Sequence, residues 1–225
     1  MKNFQMITNT LFAVGCALLL GGKSFAEPMN LSQLKTELRT YQTSGEYDKD
    51  FAAAITQAQT YITSRVVANK QAKPPQKLAI VLDIDDTSLS NYPNIEARDF
   101  CVNRDQFDKD IARANDPVLA PTLTLYRDAL KQGVAVFFVT GRSDQLSKPT
   151  EKNLKAAGYE GWAGLFYRPK TDTQASSAAF KTQARAAIAH AGYSIIASIG
   201  DQQSDLAGGN AEKTFKLPNP YYLLQ

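Results

Sequence analysis

The spacing of apolar residues changes character partway along the chain. Leu31, Leu34, Leu38 and Tyr41 recur at helical intervals, and after Gly45 the residues Phe51, Ile55, Ala58 and Ile62 form a second such stripe. Residues 30–69 therefore read as two helices, and residues 71–76, with Pro74-Pro75, as a linker. From residue 78 onward the pattern becomes short continuous apolar runs, the mark of strands buried on both faces. Five such runs occupy residues 78–82, 134–139, 165–167, 194–199 and 214–217. Helical stripes fall between them. Leu119, Leu123, Tyr126 and Leu130 end at Gly133, a short helix over 149–157 ends at Gly158, and Phe180, Ala184, Ala187 and Ile188 end at Gly192. Residues 91–117 read as polar and irregular. Strand alternating with helix predicts an α/β fold: a doubly wound, Rossmann-like parallel sheet of about five strands. The N-terminal helices and the small insertion at 91–115 are expected to cover its functional edge. In such sheets ligands sit beyond the carboxyl ends of the strands, so chemistry is sought in the residues that follow each one.

The first residues form a separate unit. Lys2 is followed by an apolar run over 11–20, then by Ser24 and Ala26 at small-x-small spacing. That is the layout of a secretory signal peptide cleaved before Glu27, and the run is too short to span a bilayer comfortably. The expected division is a leader over 1–26, a helical cap and linker over 27–77 and a core over 78–225, with 27–225 as one globular unit exported to the periplasm or beyond. Gly22-Lys23-Ser24 imitates the end of a phosphate-binding loop, but Ala17 stands where its first glycine belongs. Losing Lys2 and Lys23 with the leader leaves 23 basic side chains against 22 acidic ones, a net of +1. Such a balance gives no electrostatic case for nucleic-acid or membrane surfaces. Cys101 is then the single cysteine; it reads as a free buried thiol. The sole histidine, His190, sits in an Ala-rich helical run and reads as a helix-end residue rather than a catalyst.

Three strand ends carry the polar chemistry. After the first comes Asp83-Ile84-Asp85-Asp86-Thr87, whose crowded carboxylates call for a cation. Oxygen donors without a neighbouring histidine or cysteine favour Mg²⁺ over zinc. The acids lack the spacing, central Gly and closing Glu of an EF-hand calcium loop. After the second strand comes Thr140-Gly141-Arg142, where a hydroxyl and a backbone N–H can hold a phosphoryl oxygen. Arg142 could touch substrate or cap the turn. After the fourth comes Gly200-Asp201-Gln202-Gln203-Ser204-Asp205. Lys181 and Lys170 compete as the cation that neutralises a bound phosphate. Each feature alone is a common turn or surface residue; their order and setting give them weight.

Together with Phe138-Val139-Thr140-Gly141-Arg142, Phe180-Lys181, Gly200–Leu206 and Phe215-Lys216-Leu217-Pro218-Asn219-Pro220, these residues give a chain that resembles the haloacid dehalogenase-like phosphatases. More narrowly, it resembles their plant-type and class B-like acid phosphatases (subclass IIIB), a group that includes plant vegetative storage proteins. The resemblance spans roughly residues 31–222 and implies a division of labour. Asp83 is the nucleophile and Asp85 the general acid and base. Mg²⁺ is held by Asp83, the backbone carbonyl of Asp85, and Asp201. Thr140 and Gly141 bind phosphoryl oxygens, and Lys181 offsets their charge, in preference to Lys170. Asp205 orients Lys181 or the metal's waters, while Asp86 and Thr87 shape the loop. The expected substrates are several small phosphomonoesters admitted to an open site, with Tyr47, Asp48 and the 91–115 insertion shaping selectivity. A storage or binding role on the same scaffold, and transfer of the phosphoryl group to an alcohol, are the competing readings.

Overall fold

The computed structural model describes residues 27–171 and 176–224; the expected leader, residues 1–26, lies outside the described residues. Helix α1 (Leu31–Thr43) opens on Asn30, whose side chain accepts the Ser32 N–H at 2.9 Å. Gly45, in the left-handed conformation at φ 82°, turns the chain into α2 (Glu46–Gln71). The stripe Tyr47, Phe51, Ile55, Ala58, Ile62 and Val66 is buried and merges with Ile80, Leu82, Val136 and Phe138 in one hydrophobic cluster.

Five strands, β1 (Lys77–Leu82), β2 (Ala135–Ser143), β3 (Gly164–Arg168), β4 (Tyr193–Gly200) and β5 (Lys213–Lys216), form a sheet of order β3-β2-β1-β4-β5. All of its ladders are parallel. Alternate residues of β1 feed opposite layers. Ile80 and Leu82 join the α2 side, while Ala79 and Val81 pack with Ala184 and Ile188 of α7 (Ser177–His190). Helices α5 (Ala120–Lys131) and α6 (Ser147–Ala156) complete the layer that contains α2, through Leu125, Tyr126 and Leu154. The chain moves outward from β1 through β2 to β3, then crosses to the other side of β1 for β4. The sheet order thus reverses between β1 and β4, where a crevice opens at the carboxyl edge.

The segment expected to be irregular contains two helices, α3 (Tyr92–Glu96) and α4 (Arg104–Arg113). Local polar chemistry builds α4: Asn103 caps the Gln106 N–H at 2.9 Å, and Arg104 pairs with Asp108 one turn on at 3.3 Å. Only Asp110 and Ile111 of α4 are buried, so the apolar stripe that normally reveals a helix is missing from the sequence. Cys101, expected to be buried, is exposed, because it lies in the turn between these two helices and outside the core. Short α8 (Gln203–Leu206) follows β4. Among the described residues no helix is long and apolar enough to cross a membrane.

Candidate active site

The loop after β1 is a tight coil wound on one carbonyl. Ile84 O accepts the N–H groups of Ser88 and Leu89 at 2.8 and 2.9 Å, and Asp83 N–H continues the ladder to Ile199 O at 3.1 Å. Ile84 is fully buried, while Asp83 and Asp85 on either side of it line a cleft of about 410 Å³. Asp86 takes the left-handed conformation, φ 47°, which short polar side chains tolerate. Its carboxylate accepts Asn91 N–H at 2.8 Å and the Tyr222 hydroxyl at 2.8 Å. Burial, with Asp201 nearby, pushes Asp86 up to about 7. Asp86 therefore ties the loop together and does not line the cleft. Thr87 is also buried and bonds Asp201 Oδ1 at 3.3 Å.

Lys181 reaches Asp83 from α7. Its Nζ lies 2.7 Å from Asp83 Oδ1 and also bonds Asp205. Burial opposes the lysine charge, but Asp205 and Asp83 outweigh it and raise its pKa. Asp83 itself is pushed well above the usual carboxylate range by burial and by Asp205, with Lys181 acting the other way. Lys170 stands elsewhere: it is exposed, and its Nζ bonds Gln145 Oε1 at 2.8 Å beside a neighbouring cavity. The structure thus brings Lys181, and not Lys170, to Asp83.

Asp85 meets a different cation. Arg142, with no exposed side-chain surface, places Nη2 at 2.8 Å and Nε at 3.1 Å from Asp85 Oδ1, and Asn91 Nδ2 adds a bond of 3.0 Å. Burial favours the neutral carboxyl, but the Arg142 charge and these donors prevail and lower its pKa. Arg142 Nη2 also lies 3.3 Å from Asp116, and Nη1 3.2 Å from Thr150 Oγ1. The guanidinium bridges Asp85 and Asp116, and Arg142 also lines the cleft. Its own N–H donates to Thr140 Oγ1 at 3.1 Å; Thr140 is buried, and Gly141 lines the cleft. A side-chain carbon at Gly141 would meet nothing within 4 Å.

The third strand end brings more carboxylates. Asp201 Oδ2 accepts Gln202 Nε2 and Asn219 Nδ2, each at 2.6 Å. Asp205 Oδ2 accepts the Gln202 N–H at 2.9 Å, and Gly200 is packed so closely on Asp205 that any side chain there would collide with it. One carboxylate oxygen from each of Asp83, Asp201 and Asp205 lies within 4.8 Å of the others, and all three residues are buried. Three buried acids sharing one lysine form a set of hard oxygen donors with excess negative charge, which fits a divalent cation. This side-chain cluster contains Asp83 and Asp201 of the expected ligand set and adds Asp205; the remaining expected ligand, the Asp85 carbonyl, is a backbone atom.

The walls of the cleft were not foreseen in full. Val102, Arg104 and Phe107 come from the insertion, as expected, but Tyr222, Leu223 and Leu224 also line it. Tyr47 and Asp48 do not. Tyr47 lies behind this wall, its ring 5.9 Å from that of Tyr221, and Asp48 is exposed. Asp116 and Tyr222 had no signal beyond being polar or aromatic, since their partners Arg142 and Asp86 are distant in sequence; Asn91, close to Asp85 and Asp86, was not singled out, and Asn219 entered only as part of the Phe215–Pro220 segment.

Residues 24–225 match the model of the HAD superfamily, subfamily IIIB (acid phosphatase). Among curated proteins, a stem 28 kDa glycoprotein of Glycine max is 37% identical over 155 residues, covering 66% of this chain and 61% of the relative. Acid phosphatase 1 of Solanum lycopersicum is 36% identical over 149 residues, 64% of this chain and 58% of that protein. Vegetative storage protein 1 of Arabidopsis thaliana is 28% identical over 184 residues, 80% of this chain and 66% of that protein. The chain thus spans about three-fifths of the soybean and tomato relatives it matches. Among solved structures, the class C acid phosphatase of Bacillus anthracis superposes with a TM-score of 0.70 at 21% identity, covering 86% of both chains. Its tungstate-bound form gives 0.69 at 20%. At that identity the likeness is one of fold. With the family model covering nearly its whole length, this chain belongs to the HAD superfamily, subfamily IIIB, the acid phosphatases.

Proposed function

We propose that the chain is a Mg²⁺-dependent acid phosphatase that hydrolyses small phosphomonoesters through an aspartyl-phosphate on Asp83. The observation that carries this reading is the pairing of Asp83 with Lys181 at 2.7 Å, at the edge of the carboxylate cluster and in the same cleft as the Arg142-held Asp85. The class C acid phosphatase of Bacillus anthracis has a form with tungstate bound, an oxyanion of phosphate-like shape, which supports phosphoryl binding as the activity.

An Asp83 oxygen attacks phosphorus, and the bond from phosphorus to the ester oxygen breaks. Asp85 delivers a proton to that leaving oxygen, then takes one from the water that attacks the phosphoenzyme, and Asp83 is released as carboxylate with inorganic phosphate. In the free protein Arg142 holds Asp85 ionised; the charge of an arriving phosphate opposes that and favours the protonated form. Lys181, Thr140 and Gly141 hold the phosphoryl oxygens and offset their charge. Asp83, Asp201 and the Asp85 carbonyl would hold Mg²⁺, which would supply Lewis-acid stabilisation of the transferring group. The leader-like segment over 1–26 supports action outside the cytoplasm.

Release of phosphate from an aryl phosphate tests the reading. Activity should require Mg²⁺ and vanish with a chelator, and Asp83→Asn should lower the rate by roughly 10³-fold or more. Full activity in Asp83→Asn protein would overturn it.

A further inference from the structure

The segment that follows β5 is stitched to the loop that carries Asp201. Leu217 N–H bonds Gly200 O at 2.9 Å, which sets the segment beside that loop. Asn219 then makes two bonds: its Nδ2 donates to Asp201 Oδ2 at 2.6 Å, and its Oδ1 accepts the Tyr221 N–H at 2.9 Å. The amide is thereby fixed at both ends. Gln202 Nε2 donates to the same Asp201 oxygen at 2.6 Å, and Gln202 is itself oriented by Leu224 N–H on its Oε1 at 3.0 Å. Both donors to Asp201 Oδ2 are thus set by residues 219–224. Tyr221 anchors the segment among the rings of Tyr47, Tyr92 and Phe100, at centroid distances of 5.9, 5.1 and 6.1 Å.

We propose that Asn219 is a positioning residue for the divalent-cation site. Two short bonds occupy Asp201 Oδ2, which leaves Oδ1, reached by the longer 3.3 Å bond from Thr87, as the oxygen with capacity to coordinate. An unrestrained carboxylate would lose rotamer freedom each time it bound the ion, and it could present either oxygen. Asn219 removes both costs in advance. Partners that orient a ligating carboxylate in this way are worth about 10–100-fold in metal affinity. The inference rests on the reading of Asp201 as a cation ligand.

Calorimetric titration of Mg²⁺ into the metal-free full chain separates the two. In Asn219→Ser the shorter hydroxyl can still accept the Tyr221 N–H but cannot reach Asp201, so the turn survives and the donor is lost. Its Kd for Mg²⁺ should rise by about tenfold or more, and Asn219→Ala should match it. Tyr221→Phe loses a hydrogen bond of the same segment, to Gln42, without touching Asp201; its Kd should stay within about twofold of wild type. Unchanged affinity in both Asn219 variants, or an equal loss in Tyr221→Phe, would overturn the positioning role. A wild type that binds no Mg²⁺, or an Asp201→Asn protein that binds it as tightly as wild type, would overturn that role together with the reading beneath it.

Discussion

A carboxylate as enclosed as Asp85, with 14% of its side chain exposed, costs several kcal/mol to keep ionised unless a cation and donors compensate it. Arg142 at 2.8 Å and Asn91 at 3.0 Å do so. Asp83, two residues away, answers to Lys181 instead. Two carboxylates of one motif therefore sit in opposite electrostatic surroundings in the metal-free protein, Asp85 held below and Asp83 pushed above the usual range; a cation bound at Asp83 would bring that carboxylate down and keep it ionised for attack. Asp85→Asn should lower kcat by about 10²–10⁴-fold while KM for an aryl phosphate and Ki for inorganic phosphate move only a few-fold. An equal loss of turnover and phosphate binding would contradict the acid/base role. Asp83, Asp201 and Asp205 were legible as strand-end acids, and Lys181 through the resemblance. The work of Arg142 was not. A guanidinium that reaches another strand end 57 residues away leaves no trace in local spacing, and the same holds for Asn219 and Tyr222.

The helices show when a pattern reveals an element and when it does not. In α2 the buried side chains recur every three or four residues over about five turns, so sequence and structure agree. In α4 the helix is held by a cap and an exposed ion pair, and period alone could not expose it. Because α2 shares its hydrophobic cluster with β1 and β2, it should melt with the sheet and not before it. Phe51, 1% exposed, is the test position. Phe51→Ala should cost about 3–5 kcal/mol in urea-induced unfolding and retain a single transition. A separate early transition for the N-terminal helices would mean that they fold as an independent layer.

At the scale of the whole molecule, strand order does the assembling. The reversal between β1 and β4 sets Asp83 beside Asp201, and the α7 crossover returns Lys181 to the same crevice. The alternation of apolar runs made this edge legible before any contact was known. The cleft wall was less so, since residues 222–224 follow the final strand and show no periodicity. The account turns on Asp83 carrying the phosphoryl group. Enzyme mixed with an aryl phosphate and Mg²⁺, quenched in acid within one turnover and digested, should yield a phosphorylated peptide containing Asp83, absent from Asp83→Asn protein. Turnover at the wild-type rate with the phosphoryl group on another residue, or on none, would mean that Asp83 is not the nucleophile.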